Sequence, residues 1–400
     1  MKKLIIIIPV ILLSLAMLCF SYYKNELPKI ETSSTAEAAK TTEADNDYET
    51  NLRMQKELLS AVESGNLAKV ENALKKGIPI DMVTSGGEET PLMRAVVLNN
   101  RDMIKFLLKS GADINAFAFA NKKGTSALNI AIIKDEKNLV EFLLNSGAEL
   151  RDAIAIAVIE GNREMVSFLL SRKADVNVGQ QTGWWYTPTP LQLAAEAGNF
   201  DMVRFLLKNG ADINNVCDST IVASAAKSGN LELVEYLLSL GGKADGALTV
   251  AFAEGYKDVA QFLLKNKTPL GNAIFGAVTA NDIESVKLLI SLGADVDAGE
   301  YGEEGYNCSA LSIAASNGNL EMVKLLCSHG ADVDSEEGAH DEQKKAIVSA
   351  YENGHYTVVD YLLSKNADYE QLLQVAQDKQ DRIMLAKLEI VKQRRNKTHK

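Results

Sequence analysis

Apolar residues recur along this chain in pairs of short bursts separated by Gly, Asn and Asp. In the stretch 189–214, Leu191, Ala194 and Ala195 fall at helical spacing, Gly198-Asn199 interrupts, and Val203, Leu206 and Leu207 form a second stripe at i, i+3 and i+4. The pattern predicts two short helices. Thr189 can accept a hydrogen bond from an unpaired N–H at the start of the first, and Pro190 suits its first turn. On the second, Asp201, Arg204 and Lys208 point outward, and Gly210 supplies a left-handed cap.

The same unit returns. Its most regular phrase, Leu107-Leu108-Lys109-Ser110-Gly111-Ala112-Asp113-Ile114-Asn115, recurs at 206–214, 289–297 and 326–334. Looser copies stand at 143–150, 169–177, 237–245, 263–270 and 362–369, with a degenerate first copy ending at Leu74, Gly77 and Asp81. About ten such units, each unable to bury its apolar face alone, must stack into a solenoid with a continuous core. The final aliphatic of each second helix falls at 74, 108, 144, 170, 207, 238, 264, 290, 327 and 363, so three intervals are only 26 residues. Units of that length, around 147–157, 241–250 and 266–274, should lack the extended finger that longer units project. Fingers are expected near 81–90, 113–125, 175–189, 212–220, 295–309 and 332–343.

The run Thr189-Pro190-Leu191-Gln192-Leu193-Ala194-Ala195-Glu196-Ala197-Gly198-Asn199, with Met202 to Leu207 and Gly210-Ala211-Asp212-Ile213-Asn214 behind it, closely resembles the ankyrin repeat. Thr90-Pro91-Leu92 repeats the opening, and Ser126-Ala127-Leu128 and Ser309-Ala310-Leu311 are relaxed versions. The resemblance covers roughly residues 52–375. It implies an all-α repeat solenoid, a stack of paired antiparallel helices with β-hairpin fingers, and it leaves function open because the family binds a wide range of partners.

Finger tips are free of stacking duty, so binding residues are sought there. Trp184, Trp185 and Tyr186 are adjacent in one finger, Phe117 and Phe119 lie in the preceding one, and Tyr301 and Tyr306 in a later one. Either the tryptophans fold back onto the stack as local core, or they are exposed anchors for a protein partner, where Trp and Tyr dominate the binding energy. Acidic residues crowd two late fingers, including Glu303 and Glu304, then Asp332, Asp334 and Glu336. They read as a solvated face or as orientation for a basic partner. The Asp332-Asp334-Glu336 spacing resembles the start of a calcium loop, but the glycine comes one place late at Gly338 and the twelfth place is Gln343.

Composition narrows the partners. A net charge of −11 argues against nucleic acid, and the one basic cluster, Lys392 to Lys400, is a terminal tail. No Cys/His spacing suggests zinc, Cys327 occupies a core aliphatic place, and His329 and His355 fall at scaffold positions. No GxSxG, HExxH or phosphate-cradling loop occurs, so the sequence points to no enzyme, metal or cofactor.

Met1-Lys2-Lys3 precedes an apolar run, Leu4 to Phe20, closed by Tyr22 and Tyr23. This fits a secretory signal cleaved after Ala16 or Ser21, or an uncleaved anchor spanning a membrane through residues 4–23. Residues 25–48 are too polar to bury a core and read as a tether. The expected layout is a signal or anchor at 1–23, a disordered linker at 24–50, the solenoid at 51–375, and a capping helix with a basic tail at 376–400. The expected protein is an exported monomer, periplasmic, anchored facing the periplasm, or secreted. It would bind another protein as an adaptor or scaffold, as an inhibitor or immunity protein neutralising an enzyme or toxin, or as an effector acting on a host protein.

Overall fold

Helices pair off along the chain in the predicted rhythm. The structure, a computed structural model, describes residues 50, 52–83, 89–120, 123–179, 181–182, 185–186, 188–215, 220–301, 307–337 and 344–398. The chain divides into two compact units, Met1–Asp113 with Ala118–Gly124, and Ile114–Phe117 with Thr125–Lys400. In the first, α1 (52–63) is followed by α2 (Leu67–Lys75), α3 (Pro91–Val97), α4 (Arg101–Lys109) and strand β1 (Ala118–Ala120), which pairs with β2 (Lys123–Thr125).

The second unit carries nine helix pairs: α5 (Ala127–Ile133) and α6 (Lys137–Asn145); α7 (Ala153–Ile159) and α8 (Arg163–Ser171); α9 (Pro190–Glu196) and α10 (Phe200–Lys208); α11 (Ile221–Lys227) and α12 (Leu231–Ser239); α13 (Ala247–Ala253) and α14 (Lys257–Lys265); α15 (Ala273–Thr279) and α16 (Ile283–Ser291); α17 (Ala310–Ser316) and α18 (Leu320–Ser328); α19 (Ala346–Glu352) and α20 (Tyr356–Ser364); α21 (Glu370–Asp378) and α22 (Arg382–Thr398). From α5 to α19 each first helix packs on the next, and α19 packs on α21. Hairpins precede α9 (β3, Gln181–Thr182, with β4, Trp185–Tyr186), α17 (β5, Gly299–Tyr301, with β6, Asn307–Ser309) and α19 (β7, Glu336–Glu337, with β8, Lys344–Lys345). The three short units enter α7, α13 and α15 through loops without a strand, as their length requires. Parts of the expected 81–90 and 212–220 fingers, 84–88 and 216–219, lie outside the described residues, as do residues 1–49.

Local chemistry explains the pairs. Thr189 Oγ1 accepts from Gln192 N–H (3.2 Å) while Gln192 Oε1 accepts from Thr189 N–H (3.0 Å), closing a capping box ahead of Pro190. Between the helices of a pair, a left-handed residue, Gly198 in one unit and Asn99 in another, is followed by an asparagine whose Oδ1 caps the second helix. Asn100, Asn162, Asn199, Asn230 and Asn319 each accept from the N–H three residues on, at 2.9–3.1 Å. Gly210 (φ +91°) ends α10, with Ala211 N–H donating back to Leu206 O at 3.0 Å.

Packing corrects one expected stripe. First helices bury their first, second, fifth and sixth residues, as Pro190, Leu191, Ala194 and Ala195 show. Second helices bury the third, fourth and seventh, so the inward residues of α10 are Met202, Val203 and Leu206, while Leu207 is only half-buried. Its eighth position points along the surface, where it lines a shallow cleft with Arg204 and Tyr236. Cys327 sits at that same eighth position in α18 and is likewise half-buried rather than core; burial pushes its thiol up, and neither Cys308 nor Cys327 is in a disulfide. At α15 the approach is closest: a Cβ on Gly276 would stand 2.1 Å from the Thr249 carbonyl oxygen of α13.

The recurring Gly-Ala-Asp phrase forms a ladder. Asn177 Oδ1 accepts from Asp212 N–H (2.8 Å) and its Nδ2 donates to Gly210 O (3.2 Å), so the last residue of one phrase holds both ends of the next. Asn115 does the same to Glu149 and Gly147. With aspartate only the N–H is held, as in Asp297 to Asp332 (2.7 Å) and Asp334 to Asp368 (2.6 Å).

Candidate protein-binding face

Burial at the first, second, fifth and sixth places leaves the seventh residue of each first helix exposed or half-buried, and in α5, α7 and α9 the fourth residue, one helical turn before it, is half-buried as well. In α5 these are Ile130 and Ile133, in α7 Ile156 and Ile159, and in α9 Leu193 and Glu196. Ile133 is 50% exposed and Ile159 60%, while Ile130, Ile156 and Leu193 are half-buried. Further along, the fourth residues Ser224, Gly276 and Ser349 are small and buried, and their partners Lys227, Thr279 and Glu352 are exposed and polar. Glu196 and Lys227 form an ion pair at 3.7 Å that marks the change. Among the described first helices only α5 and α7 carry large aliphatics at both places, with Leu193 continuing the face onto α9; Val250 of α13 and Ile313 of α17 are isolated half-buried aliphatics at the fourth place.

The backbone under it is braced. Asn129, buried at the third place of α5, donates from Nδ2 to the Asp152 carboxylate at 3.2 Å, tying α5 to the turn before α7. On the second helices behind, the Arg172 guanidinium pairs with Glu141 and lies 5.1 Å from the Phe168 ring centroid. A rigid surface of this kind loses little conformational entropy on binding.

The expected finger residues are placed unevenly. Phe117 is 44% exposed just ahead of β1. Trp184, Glu303, Glu304 and Tyr306 lie outside the described residues. For Phe119, Trp185, Tyr186 and Tyr301 the backbone alone is described, with Thr182 opposite Trp185, Gln181 opposite Tyr186 and Tyr301 opposite Asn307. Of the acidic residues, Asp297 and Asp334 serve the ladder, and Asp295 and Asp332 accept from N–H groups two residues on within their own turns. These carboxylates hold backbone, which a count of acidic residues in a finger does not reveal.

The aliphatic face itself was overlooked in the sequence because its isoleucines sit inside helices whose other apolar residues are core. The signal was available: aligned unit by unit, Ile133 and Ile159 fall where most later units have a polar residue, Glu196, Lys227, Thr279, Ser316 and Glu352, with Val97 and Ala253 the other apolar residues at that place. His329 and His355 serve the scaffold. A Cβ on Gly318 would meet the His355 ring at 2.3 Å, so that imidazole packs on the preceding unit's glycine, and His329 Nδ1 lies 2.9 Å from Leu325 O. Among the described residues no group of three His, Cys, Asp or Glu could hold a metal ion, and no helix is long and apolar enough to cross a membrane.

A family model for ankyrin repeats in three copies matches residues 58–154, 150–217, 191–273, 223–300 and 274–372. Similar solved structures include the ankyrin repeat domain of Bcl-3, described as a unique member of the IkappaB protein family, at 27% identity over 47% of this chain and 87% of that one, TM-score 0.38. The human ASB11 ankyrin repeat domain is 26% identical over 53% of this chain and 98% of its own, TM-score 0.39. No match is found among curated proteins. With the matched segments together running from residue 58 to 372, the chain belongs to the ankyrin-repeat family.

Proposed function

We propose that this chain is a non-catalytic adaptor or scaffold of the cell envelope that binds another protein on the open face of its first helices. The observation that carries the reading is the aliphatic stretch Ile130, Ile133, Ile156, Ile159 and Leu193, set on helices that are already fully packed on their other side. Apolar side chains left in water on a rigid, braced surface favour a protein partner, and aromatic finger residues would supply further anchors. Phe117, Phe119, Trp184, Trp185 and Tyr186 are assigned that part, with Tyr301, Tyr306, Glu303 and Glu304 adding orientation further along.

Placement in the envelope rests on the charged start and apolar run of residues 1–23, with 24–50 as the tether to the repeats. Fractionation of the producing cells tests it. Recovery in the membrane fraction, resistant to carbonate wash and with Met1 to Phe20 still attached, supports a tethered adaptor. Recovery in the cytosol with an intact leader would sink the export reading. The binding reading is tested by the double variant Ile133→Glu/Ile159→Glu, which should weaken the partner by about 2 kcal/mol or more while leaving helicity intact.

A further inference from the structure

The last helix carries two apolar stripes, and only one of them is covered. Met384 and Leu388 are buried against the helices before α22, whereas Ile383 is 84% exposed and Ile390 51%. Ile383, Ala386, Lys387, Ile390 and Arg394 follow at i, i+3/4, i+7 and i+11, a single strip along the helix. Against Leu363 and Ser364 of α20 this strip walls a groove of 680 Å³. A terminal element that merely closed the stack would present a polar outer face.

The groove is held open at both ends. Near its start, Asp381 caps α22 by accepting from Met384 N–H (3.0 Å) and accepts the Tyr351 hydroxyl proton donor at 2.9 Å. Near its end, Arg395 Nη2 donates to Leu363 O (3.2 Å) and Ala367 O (3.0 Å), with its guanidinium 5.0 Å from the Tyr369 ring centroid. Lys387 pairs with Asp360 across the middle. Fixed at these points, α22 cannot roll inward to hide its isoleucines.

We propose that this groove is a second docking site, for an acidic amphipathic helix of a partner protein. Charge decides the occupant. Within 382–398 there are six Lys or Arg against a single Glu, in a chain whose net charge is −11. A second copy of α22 would set that cationic helix against its like in either direction, which costs free energy. A helix with apolar residues at i, i+3/4 and i+7 fills a groove between two isoleucines seven apart, and acidic residues on its flanks meet the Arg394 side. A bilayer, being flat, would reach the rims and leave the floor at Leu363 empty.

The test uses the folded full chain and a fluorescein-labelled peptide of about 16 residues, long enough to form a helix, with leucines at that spacing on a glutamate background. Anisotropy should show saturable binding, weakened at least about tenfold by Ile390→Glu and by Arg394→Glu. Replacing the peptide's glutamates nearest Arg394 with lysine should restore binding to the Arg394→Glu chain. Ile390 is exposed, so its variant should keep the helical signal; should it unfold, the Arg394→Glu exchange decides alone. Equal binding of an all-glutamine peptide, an unaffected Ile390→Glu chain, a concentration-dependent dimer abolished by Ile390→Glu, or binding to phosphatidylserine vesicles without binding to the peptide would each overturn the proposal.

Discussion

Ile133 and Gly276 each sit in a seven-residue helix, yet substitution should act on different properties of the protein. Ile133 is half exposed and touches little that a glutamate would disturb, so Ile133→Glu should shift stability by no more than about 0.5 kcal/mol in chemical denaturation. Gly276→Ala drives a methyl group into the Thr249 carbonyl, and α13 and α15 must part. The expected cost is about 1–3 kcal/mol. Leu206→Ala removes a wholly buried side chain from α10 and should cost about 2–5 kcal/mol. An unchanged melting curve for Leu206→Ala would contradict the register of the second helices. Leu206 was legible in the sequence as part of a helical stripe. Gly276 was not, because a glycine inside a helix reads only as a weak helix former until the neighbouring carbonyl is seen.

Among the elements, asparagines join the units more than their polarity suggests. Asn230 Oδ1 accepts from Leu233 N–H (3.1 Å), capping α12, while its Nδ2 donates to Gly198 O of the preceding unit (3.2 Å). Asn230→Ala should therefore cost about 1–2 kcal/mol, and Asn230→Asp, which keeps the cap and loses the donor, less than that. Urea titration of both variants separates the two bonds; equal losses would mean that the cap contributes nothing and the bond to Gly198 alone matters. The helix pairs, their starts at Thr189 and Pro190, and the units without fingers could all be read from spacing, because chain length limits what an interval can hold. The ladder could not. Asn177 lies 35 residues from Asp212, and a repeated phrase shows that the position matters without showing which atom it serves.

For the whole molecule, stability should be lost at both ends of the pH scale. The hydrogen bond from Lys257, with the N–H and hydroxyl of Ser285, holds the Asp282 carboxyl below its ordinary 3.8, and Lys345 and the N–H of Glu370 do the same for Asp368. A folded value below the unfolded one means that this stabilisation is complete above the ordinary carboxylate range and fades as pH falls through the folded values. Burial, then Asp381, pushes Tyr351 up to about 12. Its contribution is complete below the ordinary value of 10.0 and is lost as pH rises towards 12. Calorimetry from acid to alkali should show a plateau with both flanks falling, and Asp282→Asn should flatten the acid flank. The fold class was legible throughout, since the repeat declares it in every unit. The candidate binding face was less so: aromatic fingers announce themselves in sequence, while an aliphatic face on packed helices resembles core until burial is known. The most direct test of the central claim is affinity capture from the envelope fraction, read by mass spectrometry, with the unmodified chain and the Ile133→Glu/Ile159→Glu double variant at matched helicity. The account predicts a protein retained by the unmodified chain and lost from the variant; the same proteins retained by both would contradict it.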